Sequence, residues 1–370
     1  MTDQLDLVLV NTPIGALGTG RGGGVELTLT SLTQGLVMRG HRLTVVAARG
    51  STLPADCCDV TLVEVDGIDQ PSWQHAAADQ AIVIPRHGLL PALWEVALNK
   101  AQSADAVINA GYDWLPLWLT PWVKPPVFHL ISMGDVSDVM RETIEAVAGW
   151  DARRLAFHTR RQADDFRLPL PATVVGNGFD LSRYTMCEGK DGPLGWAGRI
   201  APEKGLEDAA AAAAALGERL LVWGLKENAA YADDVESRVP PGTINWRGFL
   251  PTAELQQELG TCRALINTPK WNEAYGNVVV EARACGVPVV AYDRGGPGEL
   301  IRSGETGWLV PADDVGALTQ ALREVGSIQR TRCREWVERH ATREVFSQRV
   351  ETWIREGLTM DGSINAENDR

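Results

Sequence analysis

The chain has 370 residues, 45% hydrophobic and 22% charged, with 48 Asp+Glu against 35 Lys+Arg and a formal net charge of −13. That length predicts two domains, each with a core large enough to need no disulfide or metal staple. The acidic balance argues against non-specific nucleic-acid binding and against docking on anionic lipid, since both need a basic footprint.

The six cysteines contain no C-x-x-C pair, so a zinc site of ordinary spacing is not expected. The first residues, MTDQLDLVLVNTP, carry acids where a secretory signal carries bases. No apolar run reaches the roughly 18 residues of a membrane span. A cytoplasmic protein with no stable membrane association is the expectation.

In chain order, Leu5 to Val10 reads as a buried strand. A Gly-rich loop follows, then helical spacing from Glu26 to Met38. Leu43 to Ala48, Ala106 to Asn109, Val127 to Ile131 and Leu155 to His158 read as further strands. Apolar strands alternating with helices predict a parallel sheet covered on both faces. The pattern restarts at Leu194 to Ala197, continues through an Ala-rich helix at Leu206 to Leu216, and adds strands at Leu220 to Trp223, Ala264 to Asn267 and Val287 to Tyr292. Two doubly wound, Rossmann-like α/β domains are expected, joined in the polar stretch near 180–192. The last ten residues, DGSINAENDR, read as a frayed tail.

The most informative stretch is EAYGNVVVE, Glu273 to Glu281. It predicts a loop holding Glu273, a helix starting near Gly276 and a stop at Gly286. A helix start with a glycine that admits close backbone approach suits an anion. Glu281 lies one turn inside the helix. Glu273 and Glu281 can therefore flank a nucleotide diphosphate and accept from sugar hydroxyls. An ordinary acidic loop before a core helix is the competing account. Arg199, after the strand at 194–197, and Lys204, opening the next helix, add two cations at a strand's C-terminal edge, where α/β folds bind ligands.

Taken together, GRIAPEKG (198–205), RGFL (247–250), EAYGNVVVEARACGVPVVA and ETGWLV (305–310) resemble glycosyltransferase family 4, retaining enzymes of GT-B fold. Gly22 to Glu26, Arg39-Gly40-His41 and VGNGFD (175–180) resemble its N-terminal and junction landmarks. The resemblance implies a GT-B fold: two Rossmann-like, doubly wound domains facing across a cleft. Residues 1–180 with a C-terminal helix at about 345–370 would bind acceptor, and 181–344 would bind the nucleotide sugar. It implies that Arg199 and Lys204 neutralise the leaving diphosphate. Glu273 and the chain after it (Ala274, Tyr275, Gly276, Asn277) would hold sugar and phosphate, and Glu281 the ribose. Gly23 and Gly24 would bring amides to the phosphate, and Gly248, Phe249 and Leu250 would lie near the base. It implies UDP-glucose or a related nucleotide sugar as substrate, no cofactor and no metal; the chain contains no D-x-D. It also implies that the C-terminal helix, Val345 to Gly357 with Trp353, crosses back to the N-terminal domain.

One departure stands out. The family's catalytic-type histidine falls on Ser132, while His129 falls on an earlier position. Either Ser132 and nearby backbone replace it, or His129 serves; a satisfied core histidine is the plain alternative for 129. The literal GTGRGG match (Gly18 to Gly23) to the dinucleotide fingerprint begins too far past its strand and lacks the following acid, so an NAD-dependent oxidoreductase is the weaker alternative.

Residues 1–180 hold 13 Lys+Arg against 20 Asp+Glu, which suits a small neutral or cationic acceptor rather than a lipid or polyphosphate. Trp114, Trp118 and Trp122 recur every four residues, as a core stripe or as a wall for a flat acceptor; Pro116 and Pro121 argue against one regular helix. TPIGALGTGRGGGVELTLT resembles, within the family, the cyanobacterial UDP-glucose:tetrahydrobiopterin glucosyltransferases. A pterin offers paired donors to a carboxylate, and Glu26, Asp113, Asp135 and Asp138 are the candidates, with His129 and Trp114 beside them. The same fold acting on a sugar or a lipid remains the nearest alternative.

Overall fold

In the computed structural model, residues 4–20, 22–73, 77–189 and 191–368 are described, with side chains as far as 359. The chain divides into two units, residues 1–179 with 343–370, and residues 180–342.

Unit 1 contains β1 (Asp6–Val10), α1 (Gly24–Met38), β2 (Arg42–Ala48), β3 (Thr61–Val65), α2 (Leu89–Lys100), β4 (Ala106–Asn109), α3 (Trp114–Leu119), β5 (Val127–Ile131), α4 (Asp138–Asp151), β6 (Leu155–Phe157), α5 (Arg160–Ala163) and β7 (Thr173–Val174). Its seven strands are parallel in the order β3-β2-β1-β4-β5-β6-β7. The central strands β1, β4 and β5 are almost wholly buried, as a sheet covered on both faces requires.

Unit 2 contains β8 (Leu194–Ala197), α6 (Leu206–Leu216), β9 (Leu220–Trp223), α7 (Ala229–Ser237), β10 (Ile244–Gly248), α8 (Thr252–Gly260), β11 (Ala264–Asn267), α9 (Asn277–Ala284), β12 (Val289–Tyr292), α10 (Pro297–Leu300), β13 (Gly307–Val310), α11 (Val315–Glu324) and α12 (Arg330–His340). Six parallel strands run in the order β10-β9-β8-β11-β12-β13. Ala209, Ala210, Ala212 and Ala213 of α6 are fully buried; their small side chains let the helix lie close on the sheet. Gly217, in the left-handed region, ends that helix and donates to Ala213 O and Ala214 O.

The last helix, α13 (Arg343–Asn368), belongs to unit 1 and packs on α1. Trp353 meets the Phe128 ring edge-on at 5.3 Å and donates to Arg153 O at 2.7 Å. The stretch expected to fray continues this helix to Asn368; Asp369 and Arg370 lie outside the described residues. Among the described residues no helix is long and apolar enough to cross a membrane. All six cysteines are free thiols.

Candidate functional site

Ligands of a doubly wound sheet bind where the strand order reverses, beyond the carboxyl ends of the strands. In unit 2 that point lies between β8 and β11. The loop after β8 carries Arg199 and Lys204, and the loop after β11 carries Glu273. Lys204 Nζ lies 2.5 Å from Glu273 Oε2 and 4.8 Å from the centre of the Trp271 ring. Trp271 Nε1 donates to the same carboxylate at 3.2 Å. Burial pulls the Glu273 pKa up, but Lys204, Trp271 and Arg199 outweigh it and hold the group below the usual range. Arg199 pairs with Glu227 at 2.7 Å and Glu203 at 2.8 Å. Both cations are thus held ready against carboxylates, an arrangement that an arriving diphosphate can enter by partner exchange.

The Glu273 loop is fixed from behind. Gly296 N donates to Glu273 O at 2.6 Å, and Arg294 Nη1 donates to Pro269 O at 2.8 Å. A Cβ on Gly295 would stand 2.5 Å from the Glu273 amide nitrogen, and one on Gly205 only 2.0 Å from Thr268 O. Both glycines have positive φ, 58° and 65°, so close approach and backbone conformation demand glycine together. Lys270 ties the loop to Asp208 and, at 2.9 Å, to Asp313. None of these braces was visible in the sequence.

Gly276, at φ 95°, precedes α9, whose N-terminus faces the same edge. Ala274 and Tyr275 are buried in the turn before it, and Asn277 is its first residue. Glu281 accepts from the Tyr184 hydroxyl at 3.1 Å. Burial pushes Glu281 up, while Tyr184 and Arg183 pull it back in part. Gly248 ends β10 at φ 72°, Phe249 beyond it is exposed, and Leu250 after that is half-buried.

Unit 1 rearranges the sequence-based expectations. Glu26 is buried, and its two carboxylate oxygens accept from the amides of Gly18 (2.7 Å), Gly20 (3.0 Å) and Gly22 (2.5 Å). It organises the Gly-rich loop and has little capacity left for an acceptor. Gly23 N donates to Gly20 O at 3.2 Å, and Gly24 opens α1, so the Gly23 amide is engaged in a turn rather than offered to a phosphate. Arg21 lies outside the described residues.

His129 is a core histidine. It has no exposure, Asn109 Nδ2 lies 3.1 Å from its Nδ1, and Thr120 Oγ1 lies 2.6 Å from its Nε2. Thr120 Oγ1 donates to Pro116 O and Asn109 Nδ2 to Gly111 O, which assigns Nδ1 as acceptor and Nε2–H as donor. Burial first, then Arg154, lowers its pKa to about 3. A neutral ring with both nitrogens engaged cannot reach a ligand. Ser132, just beyond β5, has a buried hydroxyl without a partner. Asp135 and Asp138 both pair with Arg141, and that neutralises them as acceptor-binding acids. Asp113 differs. It is 2% exposed, caps α3 by accepting from Trp114 N at 2.8 Å, and is pushed up by burial to about 6 against the pull of that amide and of Trp73. Trp114 stacks on Trp118, centres 5.4 Å apart, while Trp122 lies in the following turn and is exposed.

Residues 189–342 match the family model "Glycosyl transferases group 1". The match lies wholly within unit 2. A D-inositol 3-phosphate glycosyltransferase of Rhodococcus erythropolis (strain PR4 / NBRC 100887) is 32% identical over 195 residues, 46% of this chain and 43% of that protein. A glycogen synthase of Mycobacterium tuberculosis (strain CDC 1551 / Oshkosh) is 34% identical over 164 residues, 41% of this chain and 39% of its own. The matched stretch spans less than half the length of these relatives. In fold the likeness extends over both units. AviGT4, a glycosyltransferase involved in avilamycin A biosynthesis, aligns over 96% of this chain and 98% of its own at TM-score 0.73 and 22% identity. Anabaena Alr3699/HepE, solved with UDP and glucose, aligns over 95% and 100% at TM-score 0.71 and 17% identity. The fold is GT-B, with two parallel-sheet Rossmann-like domains. The matched region contains Arg199, Lys204, Glu273 and Glu281. Among the described residues no group of three or more His, Cys, Asp or Glu could hold a metal ion.

Proposed function

We propose that the protein is a retaining hexosyltransferase that moves glucose from UDP-glucose to a small soluble acceptor, a pterin such as tetrahydrobiopterin. The observation that carries this reading is the meeting of Lys204, Arg199 and Glu273 at the switch point of unit 2. Two cations beside the N-terminus of α9 suit a diphosphate, and Glu273 suits the hydroxyls of the sugar attached to it. Glu281, with Tyr184, serves the ribose.

In the proposed reaction the bond from the anomeric carbon to the β-phosphate oxygen breaks. The acceptor oxygen bonds to that carbon on the same face, and its proton passes to the departing phosphate. UDP leaves. Charge stabilisation of the leaving group by Arg199 and Lys204 does the work that a metal ion does in other sites, so the reaction is expected to run in the presence of a chelator. Neither His129 nor Glu26 takes part. Ser132 stays as the side chain at the position expected of a histidine, and contributes positioning rather than a base.

A second acceptor class has support of its own, since the relatives in sequence include D-inositol 3-phosphate glycosyltransferases. Mass spectrometry of full-length protein with chelator and UDP-glucose decides between them, with tetrahydrobiopterin in one reaction and D-myo-inositol 3-phosphate in another. A hexosyl-pterin, with retained anomeric configuration by NMR, is expected. UDP release with a hexosyl-inositol phosphate would replace the acceptor, and no UDP release in either would overturn the transferase reading.

A further inference from the structure

The C-terminal edge of the unit 1 sheet gathers polar atoms that the chain itself does not satisfy. Asn11, directly after β1, donates through Nδ2 to Gly15 O at 3.3 Å, but its Oδ1 has no partner. Gln70, after β3, donates through Nε2 to Val83 O at 2.5 Å, and its Oε1 has none. Trp73 Nε1 lies close enough to Asp113 to draw its pKa down, and has no other partner. Ser132 Oγ, directly after β5, has no partner. Asn11, Gln70 and Trp73 are at least nine-tenths buried, where proteins seldom leave polar atoms unmet.

These loops converge. Gln70 N donates to Pro13 O at 2.8 Å, and a Cβ on Gly111 would lie 3.4 Å from Pro13 and 3.5 Å from Thr12. Trp73 packs in one apolar cluster with Tyr112 and Ile131, which flank Asp113 and Ser132 in sequence. The Tyr112 hydroxyl donates across to Gly134 O at 2.9 Å.

The group has a chemical sense. Asn11 Oδ1, Gln70 Oε1 and the Asp113 carboxylate accept; Trp73 N–H donates and Ser132 can do either. None of the five is cationic, no Lys or Arg among the described residues pairs with Asp113, and Arg141 is engaged by Asp135 and Asp138. A phosphate here would face a carboxylate without a counter-charge.

We propose that these groups form the acceptor site, with Asp113 as its specificity-determining residue, and that the site takes a small, donor-rich molecule bearing no phosphate. This rests on the transferase reading for what happens to the bound molecule, and on unit 1 alone for the binding. The elevated pKa of Asp113 agrees with a carboxylate that lacks a cation and gains from meeting N–H or O–H donors.

Calorimetry on the full chain tests it, with tetrahydrobiopterin, myo-inositol and D-myo-inositol 3-phosphate as probes and UDP titrated into the same samples. The pterin or the unphosphorylated inositol is expected to bind about tenfold or more tighter than the phosphate. Asp113→Asn keeps the helix cap and is expected to weaken that probe about tenfold or more, with UDP affinity within about twofold. Trp73→Phe removes the indole N–H together with the ring that carries it, and gives a second reading if the first variant fails to fold; its expected loss is about threefold or more for the acceptor probe, with UDP affinity again within about twofold, a split that a general loss of packing would not give. Tightest binding of the phosphate, binding of none of the three, or unchanged affinity in both variants would overturn the proposal. A wild type that binds the unphosphorylated probe but not UDP would count against the transferase reading and leave the acceptor site standing.

Discussion

The two units present the same architectural edge with different chemistry. Beyond the strands of unit 2, cations lie against carboxylates: Lys204 on Glu273, Arg199 on Glu203 and Glu227, Lys270 on Asp208 and Asp313. Beyond the strands of unit 1 there are ion pairs too, Arg49 with Asp66 and Arg141 with Asp135 and Asp138, but beside them Asp113 is buried without a cation and the side-chain atoms of Asn11, Gln70 and Ser132 are unmet. A parallel sheet supplies the place but not the ligand. The residues that follow each strand decide whether an anion or a donor-rich neutral molecule fits.

The largest expected effect breaks the charge side of this contrast. Lys204→Ala should lower turnover about 10²- to 10³-fold, the usual loss when one stabiliser of developing charge is removed. Arg199→Ala should fall in the same range, and Lys204→Arg should recover part of the rate. Steady-state kinetics of UDP release checks all three, read as kcat against KM for the donor. Equal losses in donor affinity with kcat unchanged would assign the cations to ground-state binding instead.

The next effect concerns the unit 1 edge and its pH dependence. Asp113 has its pKa raised to about 6, by burial, against the Trp114 amide and Trp73. A donor-rich ligand binds the ionised form, so acceptor affinity should be level above about pH 7 and fall about tenfold per unit well below pH 6. Stability runs the other way. A carboxyl with a raised folded-state pKa favours the folded state at low pH, and that contribution disappears as pH rises through about 6. His129 opposes it: with its folded-state pKa lowered to about 3, its contribution is present above its ordinary value and fades as pH falls from there. Acceptor affinity in Asp113→Asn should lose the pH 6 step, as calorimetry across pH 5 to 8 would reveal.

What the sequence disclosed follows from where the information sits. Strands such as Ala106–Asn109 and Ala264–Asn267 are buried on both faces, so their apolar runs are unmistakable. Thr61–Val65, Ile244–Gly248 and Gly307–Val310 lie toward or at the sheet edges, are only partly buried and carry polar or glycine residues, so periodicity alone does not single them out. Glu273, Gly276 and Glu281 lie within nine residues of one another, and local spacing suffices to group them. Tyr184 meets Glu281 from 97 positions away, and Lys270, Arg294 and Gly295 act through contacts made only in three dimensions. Glu26 misled for the opposite reason. Its partners are near in sequence, but they are the amides of three glycines, which no side-chain pattern announces.

A smaller effect sharpens the unit 2 side. Tyr184→Phe removes the hydroxyl that donates to Glu281 and leaves the ring in place. UDP affinity should fall about threefold to tenfold, the range of a single hydrogen bond to a carboxylate that remains otherwise buried. Because burial already raises Glu281, loss of the donor should raise it further, and the variant's UDP affinity should weaken at a higher pH than wild type as pH falls. A uniform loss across pH would mean that Tyr184 acts by packing alone.

The smallest effect tests the contrast with no mutation at all. If unit 2 binds a diphosphate through Arg199 and Lys204, raising salt from about 0.05 to 0.5 M should weaken UDP severalfold, because exposed parts of those charges are screened. A neutral acceptor held by Asp113, Asn11 and Gln70 makes hydrogen bonds in a buried setting, and its affinity should change by less than about twofold. Parallel salt slopes for the two ligands would erase the distinction between the edges: either the acceptor carries charge that unit 1 neutralises, or the cations of unit 2 stay with their carboxylates and the diphosphate is held by backbone amides. UDP titrations with Lys204→Ala separate these, since the second case predicts that the variant keeps the wild-type slope.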